Sequence, residues 1–177
     1  MGLRELLVET SKVFDGMGIG YALIGGYAGA VYGSPYATSD IDFVISEEGA
    51  GIELFDELKK VGWVPTEDYK DIQELLSFGQ FYHKDLGFPM HIFSEVPGFR
   101  IREGIEISET RIDETSIKIC SPEDLVIMRL AGWSDEDKLK AVALAKATEL
   151  DMDYLRKRAK EEGVGERLDW LLEEVSE

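Results

Sequence analysis

Two short motifs constrain this chain most: Leu23-Ile24-Gly25-Gly26 and, after a spacer of thirteen residues, Asp40-Ile41-Asp42. Tyr21 to Ile24 is an apolar run of strand length that stops at the glycine pair, and Tyr27 to Tyr32 is small and apolar, as suits a short helix packed closely on its neighbour. Ile41 to Ser46 then reads as a second strand with β-branched residues and Asp40 at its mouth. Side chains alternate faces along a strand, so Asp40 and Asp42 project to the same side, about 6 to 7 Å apart. Two carboxylates so placed repel each other. A hard cation beside them removes that cost, and Mg²⁺ takes one or two carboxylates and completes its octahedron with water and substrate phosphates. Gly25 and Gly26 lack a Cβ and let backbone N–H groups approach a phosphate, while the following helix turns its positive end to the same anion. Asp-x-Asp alone is common on solvated strand ends, and Gly-Gly alone is usually a turn. In the order strand, glycine turn, helix, acidic strand, they read as a site for a triphosphate gripped by backbone on one side and by metal on the other.

The surrounding pattern is mixed. Leu3, Leu6, Leu7, Thr10, Val13, Phe14 and Met17 recur at helical spacing, and the Gly16 to Gly20 cluster stops them. That glycine cluster follows a helix and not a strand, so it is a helix stop and no dinucleotide fingerprint. Ile52 to Val61 traces another helix, closed by Gly62. Leu75 to His83 and Phe88 to Phe93 flank the turn Lys84-Asp85-Leu86-Gly87 and predict a hairpin. Phe99 to Ile119 alternates isoleucines with charged residues, as half-exposed strands do. From Ser121-Pro122-Glu123-Asp124 onward the chain is helical: Ser121 suits an N-cap and Pro122 the first helical position. Ser134 to Ala147, Asp151 to Glu162 and Gly165 to Val175 predict three more helices.

Composition narrows the function. Nineteen Lys and Arg against thirty-six Asp and Glu give a net charge of −17, which argues against binding extended nucleic acid through its phosphates. A phosphate-bearing small ligand stays open, because a divalent cation reverses the sign of a local acidic site. Cys120 is the only cysteine, so there is no intrachain disulfide and no multi-Cys zinc site. Met1 to Lys12 carries charges and no signal-peptide cleavage pattern, and Leu6 stands where a myristoylation signal needs Ser or Thr. Ile19 to Val31, the most apolar stretch, is too short for the roughly 20 residues of a membrane span. A cytoplasmic protein without a membrane anchor is expected.

The stretch Leu23 to Ser46, LIGGYAGAVYGSPYATSDIDFVIS, resembles the signature of the nucleotidyltransferase superfamily with the DNA polymerase β-like palm, in its small prokaryotic branch related to abortive-infection toxins and antibiotic nucleotidyltransferases. SPEDLVIMRLAG, from Ser121, is similar to the helical entry of the same branch. The resemblance implies an α+β fold: a mixed β-sheet with flanking helices over residues 1–120, followed by a C-terminal helical bundle, 121–177, packed on it. It implies that Gly25 and Gly26 cradle the phosphates, that Thr38 shapes the approach to the acids, and that Asp40 and Asp42 hold Mg²⁺ or Mn²⁺. Three positions depart from it. Tyr36 stands where relatives commonly carry a basic residue. His91 stands on the strand that usually brings a third carboxylate, with Asp85 and Glu95 near it in sequence. Trp133 to Asp137 matches poorly a basic and acidic pair in the later helices, although Arg129 keeps a positive charge.

The expected activity is metal-dependent transfer of a nucleotide monophosphate from an NTP to an acceptor hydroxyl, with release of pyrophosphate. His91 joins Asp40 and Asp42 as a candidate catalytic residue, against the alternative of an ordinary half-exposed strand histidine. The alternative function is a catalytically degenerate relative that binds NTP or a protein, as in a toxin–antitoxin pair. A third class is an interaction protein that dimerises through its helical tail, with Trp133 and Trp170 as anchors. The acceptor and the preferred NTP are open.

Overall fold

The computed structural model describes residues 1–177. Its elements run α1 (Leu3–Met17), β1 (Tyr21–Ile24), α2 (Gly25–Val31), β2 (Ile41–Ile45), α3 (Glu53–Lys60) and β3 (Trp63–Pro65), then α4 (Ile72–Ser77), β4 (Gly79–His83) and β5 (Pro89–Phe93). A two-residue pair, β6 (Glu95–Val96) and β7 (Phe99–Arg100), leads to β8 (Ile107–Ile112) and β9 (Thr115–Cys120). Four helices close the chain: α5 (Pro122–Gly132), α6 (Asp135–Ala147), α7 (Met152–Glu161) and α8 (Gly165–Ser176). The fold is α+β, as the resemblance implies.

Seven strands form one mixed sheet in the order β3-β4-β5-β2-β1-β9-β8. β2 runs parallel to β5 and β1 parallel to β9; the remaining pairs are antiparallel. The central strands β1 and β2 are almost wholly buried, which is why they read as continuous apolar runs. Phe14 of α1 packs on Tyr21 and Phe43, with ring centroids 5.2 and 5.1 Å away. The position of Asp42 follows from register. It pairs with Ile24 on β1, the residue before the glycine turn, and with His91 on β5.

Local signals explain the helix ends. Ser121 accepts a hydrogen bond from the Asp124 amide at 3.1 Å, with Pro122 at the start of α5. Ser134 and Asp137 form a reciprocal capping box on α6. Asp151 accepts from the amides of Asp153 and Tyr154. None of the helices is long and apolar enough to cross a membrane.

The structure corrects two sequence expectations and adds an edge strand. Leu75, Leu76 and Ser77 are not strand but the end of α4, which Asp71 caps by accepting from the Glu74 amide at 2.9 Å. The chain turns into β4 at Gly79, where a Cβ would lie 2.9 Å from the Leu75 carbonyl oxygen. Trp63–Pro65 forms an edge strand that its three residues were too few to announce. The Trp63 indole is fully buried and donates to Thr10 Oγ1 at 2.8 Å. Ile101 and Ile105 lie outside strands, in the connection from the β6–β7 hairpin to β8.

One buried ion pair ties the last helices together. Arg158 of α7 has no exposed side-chain surface and donates from Nε to Asp124 Oδ1 of α5 at 2.7 Å. Its other nitrogens reach Glu161, Glu162 and the Gly98 carbonyl, between β6 and β7. Burial opposes the charge, but these carboxylates outweigh it and hold the guanidinium pKa above the ordinary arginine value. Replacing Arg158 with Met strands the Asp124 carboxylate without a counter-charge and is expected to cost about 3–5 kcal/mol in urea unfolding, whereas Asp124→Leu with Arg158→Met costs less than either change alone.

Candidate functional site

The site forms where β1 ends and β2 and β5 begin side by side. Asp40 precedes β2, Asp42 is its second residue, and His91 lies opposite Asp42 on β5. One ligand atom from each of the three lies within 4.8 Å of the others. His91 Nδ1 is 2.7 Å from Asp42 Oδ1 and 3.9 Å from Asp40 Oδ2. The Asp42 hydrogen bond, aided by the negative charges of Asp42 and Asp40, raises the His91 pKa above its ordinary value against the opposing effect of burial. Of the other acids near His91 in sequence, Asp85 sits in the β4–β5 turn and Glu95 on β6; neither joins the cluster.

The glycine pair is required by close approach. Gly25 has φ +72°, in the left-handed region, and a Cβ there would collide with the Asp42 carboxylate. A Cβ on Gly26 would lie 2.8 Å from both Cβ and Oγ1 of Thr38. Thr38 Oγ1 in turn donates to Asp40 Oδ1 at 2.5 Å. The spacer between the motifs thus folds back so that Gly26, Thr38 and Asp40 touch in sequence.

A cavity of about 230 Å³ collects these groups. Gly25, Gly26, Thr38, Asp40 and Asp42 line it, together with Arg129 of α5 and Lys140 of α6. Every residue singled out from the motifs except His91 borders it, and His91 adjoins it through Asp42. Lys140 escaped sequence reading. It lies at helical spacing among solvated charges, and its distance from the motif is long; only the packing of α6 brings it to the site. Its Nζ pairs with Glu136 and lies 6.0 Å from the Tyr36 ring centroid, so this cation stands beside the tyrosine at the position where a basic residue was expected. Arg129 pairs with Asp137 at 3.2 Å, so the poorly matching segment after Gly132 does supply an acid to a basic partner. Trp133 and Trp170 meet each other edge to face at 5.1 Å within the chain.

A family model described as nucleotidyl transferase of unknown function (DUF2204) matches residues 3–176. The chain belongs to that family. No curated protein matches its sequence. Solved structures similar to this nucleotidyltransferase include the lincosamide antibiotic adenylyltransferase LnuA in its lincomycin-bound form, 16% identical, with a TM-score of 0.59 over 83% of this chain and 99% of that one. An antigenic nucleotidyltransferase-like protein from Paracoccidioides brasiliensis is 16% identical, with a TM-score of 0.61 over 99% of this chain and 94% of that one. The antibiotic-resistance factor ANT(2'')-Ia is 14% identical, with a TM-score of 0.62 over 94% of both chains. At these identities the likeness is one of fold.

The cost of losing a site glycine is directly measurable. Gly25→Ala is expected to destabilise the fold by about 2 kcal/mol or more in urea unfolding, since a left-handed alanine alone costs roughly 1–2 kcal/mol and the displaced Asp42 carboxylate adds to it. A loss no larger than the left-handed backbone cost alone would show that Asp42 moves aside freely.

Proposed function

We propose that this nucleotidyltransferase moves a nucleotide monophosphate from an NTP to an acceptor hydroxyl, with Asp40 and Asp42 as metal ligands and the Gly25–Gly26 turn as the phosphate cradle. One observation carries the reading: a single cavity is lined by two carboxylates, a glycine turn and two cations, Arg129 and Lys140. A triphosphate with divalent metal suits both sets of charges at once, because the metal offsets the acids and the cations offset the distal phosphates. The donor set of two carboxylates and an imidazole fits a divalent cation. Its nitrogen donor favours Mn²⁺ over Mg²⁺. When bound, such an ion neutralises charge developing at the α-phosphoryl group.

The remaining steps belong to this chain's own residues. Backbone N–H groups at Gly25 and Gly26 orient the polyphosphate, and Thr38 holds the Asp40 carboxylate in place. The acceptor oxygen forms a bond to the α-phosphorus as the bond to the bridging oxygen breaks, and that electron pair leaves on pyrophosphate. Arg129 and Lys140 stabilise the departing pyrophosphate. The acceptor proton is lost to solvent water, because Asp40 and Asp42 hold the metal and His91 Nδ1 is already engaged with Asp42. That same engagement supports a second reading, in which the chain binds NTP, or a protein, without turnover.

Incubation with α-labelled NTPs in Mg²⁺ or Mn²⁺ separates the two readings: transfer of label to any acceptor, with weak turnover that prefers Mn²⁺, is the expected outcome, and stabilisation by NTP with no transfer supports the binding module. Asp42→Asn is expected to abolish metal-dependent NTP stabilisation in thermal shift while leaving a folded chain, since one of two repelling charges is removed. His91→Asp is expected to raise the Mg²⁺-supported rate. Lys140→Ala is expected to weaken NTP binding by about ten-fold or more, the scale of one lost charged hydrogen bond.

A further inference from the structure

A second hollow, also of about 230 Å³, adjoins this cavity at Asp42. It shares Gly25, Asp42, Leu125 and Arg129 with the cavity above, but its own lining is apolar: Phe93, Val96, Pro97 and Met128. Phe93 is backed by Phe78, whose ring stacks on it at 5.1 Å with an interplanar angle of 16°. Phe78 is 43% exposed and stands 5.6 Å from the His91 ring. An aromatic wall therefore runs from the acid cluster to the solvent.

We infer that this hollow is the acceptor subsite and that the acceptor is a small, hydroxyl-bearing ring compound, uncharged or cationic. The inference rests on the transferase reading. Entering and leaving oxygens lie roughly in line at phosphorus, so with pyrophosphate in the polar cavity the acceptor approaches from the opposite side, where the hollow opens onto Asp42. A nucleobase fits poorly there. Its polar edge would be desolvated against Phe93, Val96, Pro97, Leu125 and Met128, whose side chains offer no hydrogen-bonding group. The volume lies below the 300–1,000 Å³ or so of ordinary ligand pockets, which selects a single or fused ring over a polymer. Asp42 lines the hollow and repels an anionic acceptor; Arg129, the one cation in the lining, is already paired with Asp137, and an aromatic wall favours a cationic acceptor.

An isosteric series tests this: benzyl alcohol, 4-(hydroxymethyl)benzylamine and 4-(hydroxymethyl)benzoate, titrated into methyl-labelled protein with Mg²⁺ and α,β-methylene-ATP present. The alcohol and the amine are expected to shift the Met128 methyl resonance without displacing the nucleotide, and to bind about ten-fold tighter than the benzoate. Met128→Trp, which fills the hollow, and Phe93→Ala, which removes its wall, are each expected to weaken ring binding by about ten-fold. Competition between ring and nucleotide would assign the hollow to the nucleoside and overturn the inference, as would nucleotide binding with no response at Met128 to any ring. Failure of the native protein to bind the nucleotide at all would overturn the transferase reading, and the acceptor assignment with it.

Discussion

The buried pair between Arg158 and Asp124 is the interaction on which the working face depends. Both side chains are fully removed from solvent, a position tenable only because the guanidinium is saturated by three carboxylates and the Gly98 carbonyl. Asp124 also accepts from the Tyr154 hydroxyl at 2.7 Å and from Ser121. The pair thereby holds the first turn of α5 against α7 and against the β6–β7 hairpin. α5 carries Leu125 and Arg129, which border both cavities beside Asp42. Removing one partner of such a pair leaves a buried charge, so the geometry of the site inherits its stiffness from an interaction distant from the chemistry.

The site itself is a balance of charges that no single segment contains. Asp40 and Asp42 repel; His91 offsets part of that by bonding Asp42 and by holding a raised pKa. Arg129 and Lys140 offset the cavity from the facing helices, yet each is paired with an acid of its own, Asp137 and Glu136. Their partners hold them near the cavity without cancelling their reach, since the Lys140 side chain is 22% exposed and Arg129 20%. The cationic element that Tyr36 cannot supply comes instead from α6, from a residue a hundred positions further along the chain.

What was legible in the sequence was what depends on short separations. Gly25-Gly26 is required by close approach to Asp42 and Thr38, Asp40-x-Asp42 is a spacing of two within one segment, and the caps at Ser121, Ser134 and Asp151 are local by nature. The family resemblance added His91 as the residue facing the acids, and the β2–β5 register puts it there. Less legible were elements decided at a distance. Leu75-Leu76 continues apolar into Phe81, and only the Asp71 cap and the crowding at Gly79 divide helix from strand. Trp63 is set by its bond to Thr10 across fifty-three positions. The convergence of Lys140 on Tyr36 leaves no periodic trace at all.

The two cavities show why Asp42 sits in a central strand of the sheet rather than on a loop. Asp42 is in register with both β1 and β5, so its carboxylate is reached from the glycine turn on one side and from Phe93 on the other. In the transfer we propose, the two reactants lie on opposite sides of one phosphorus and need a fixed divider between them. Backbone pairing on both flanks of Asp42 provides that divider with little side-chain freedom left to lose on binding. The chemistry of each half then follows from which helix faces it: α6 brings a cation to the polar side, and the Met128 turn of α5 brings a thioether to the apolar side. Substitutions in α5 can therefore reshape the apolar side while the close contacts of Gly25 with Asp42 and of Gly26 with Thr38 stay as they are.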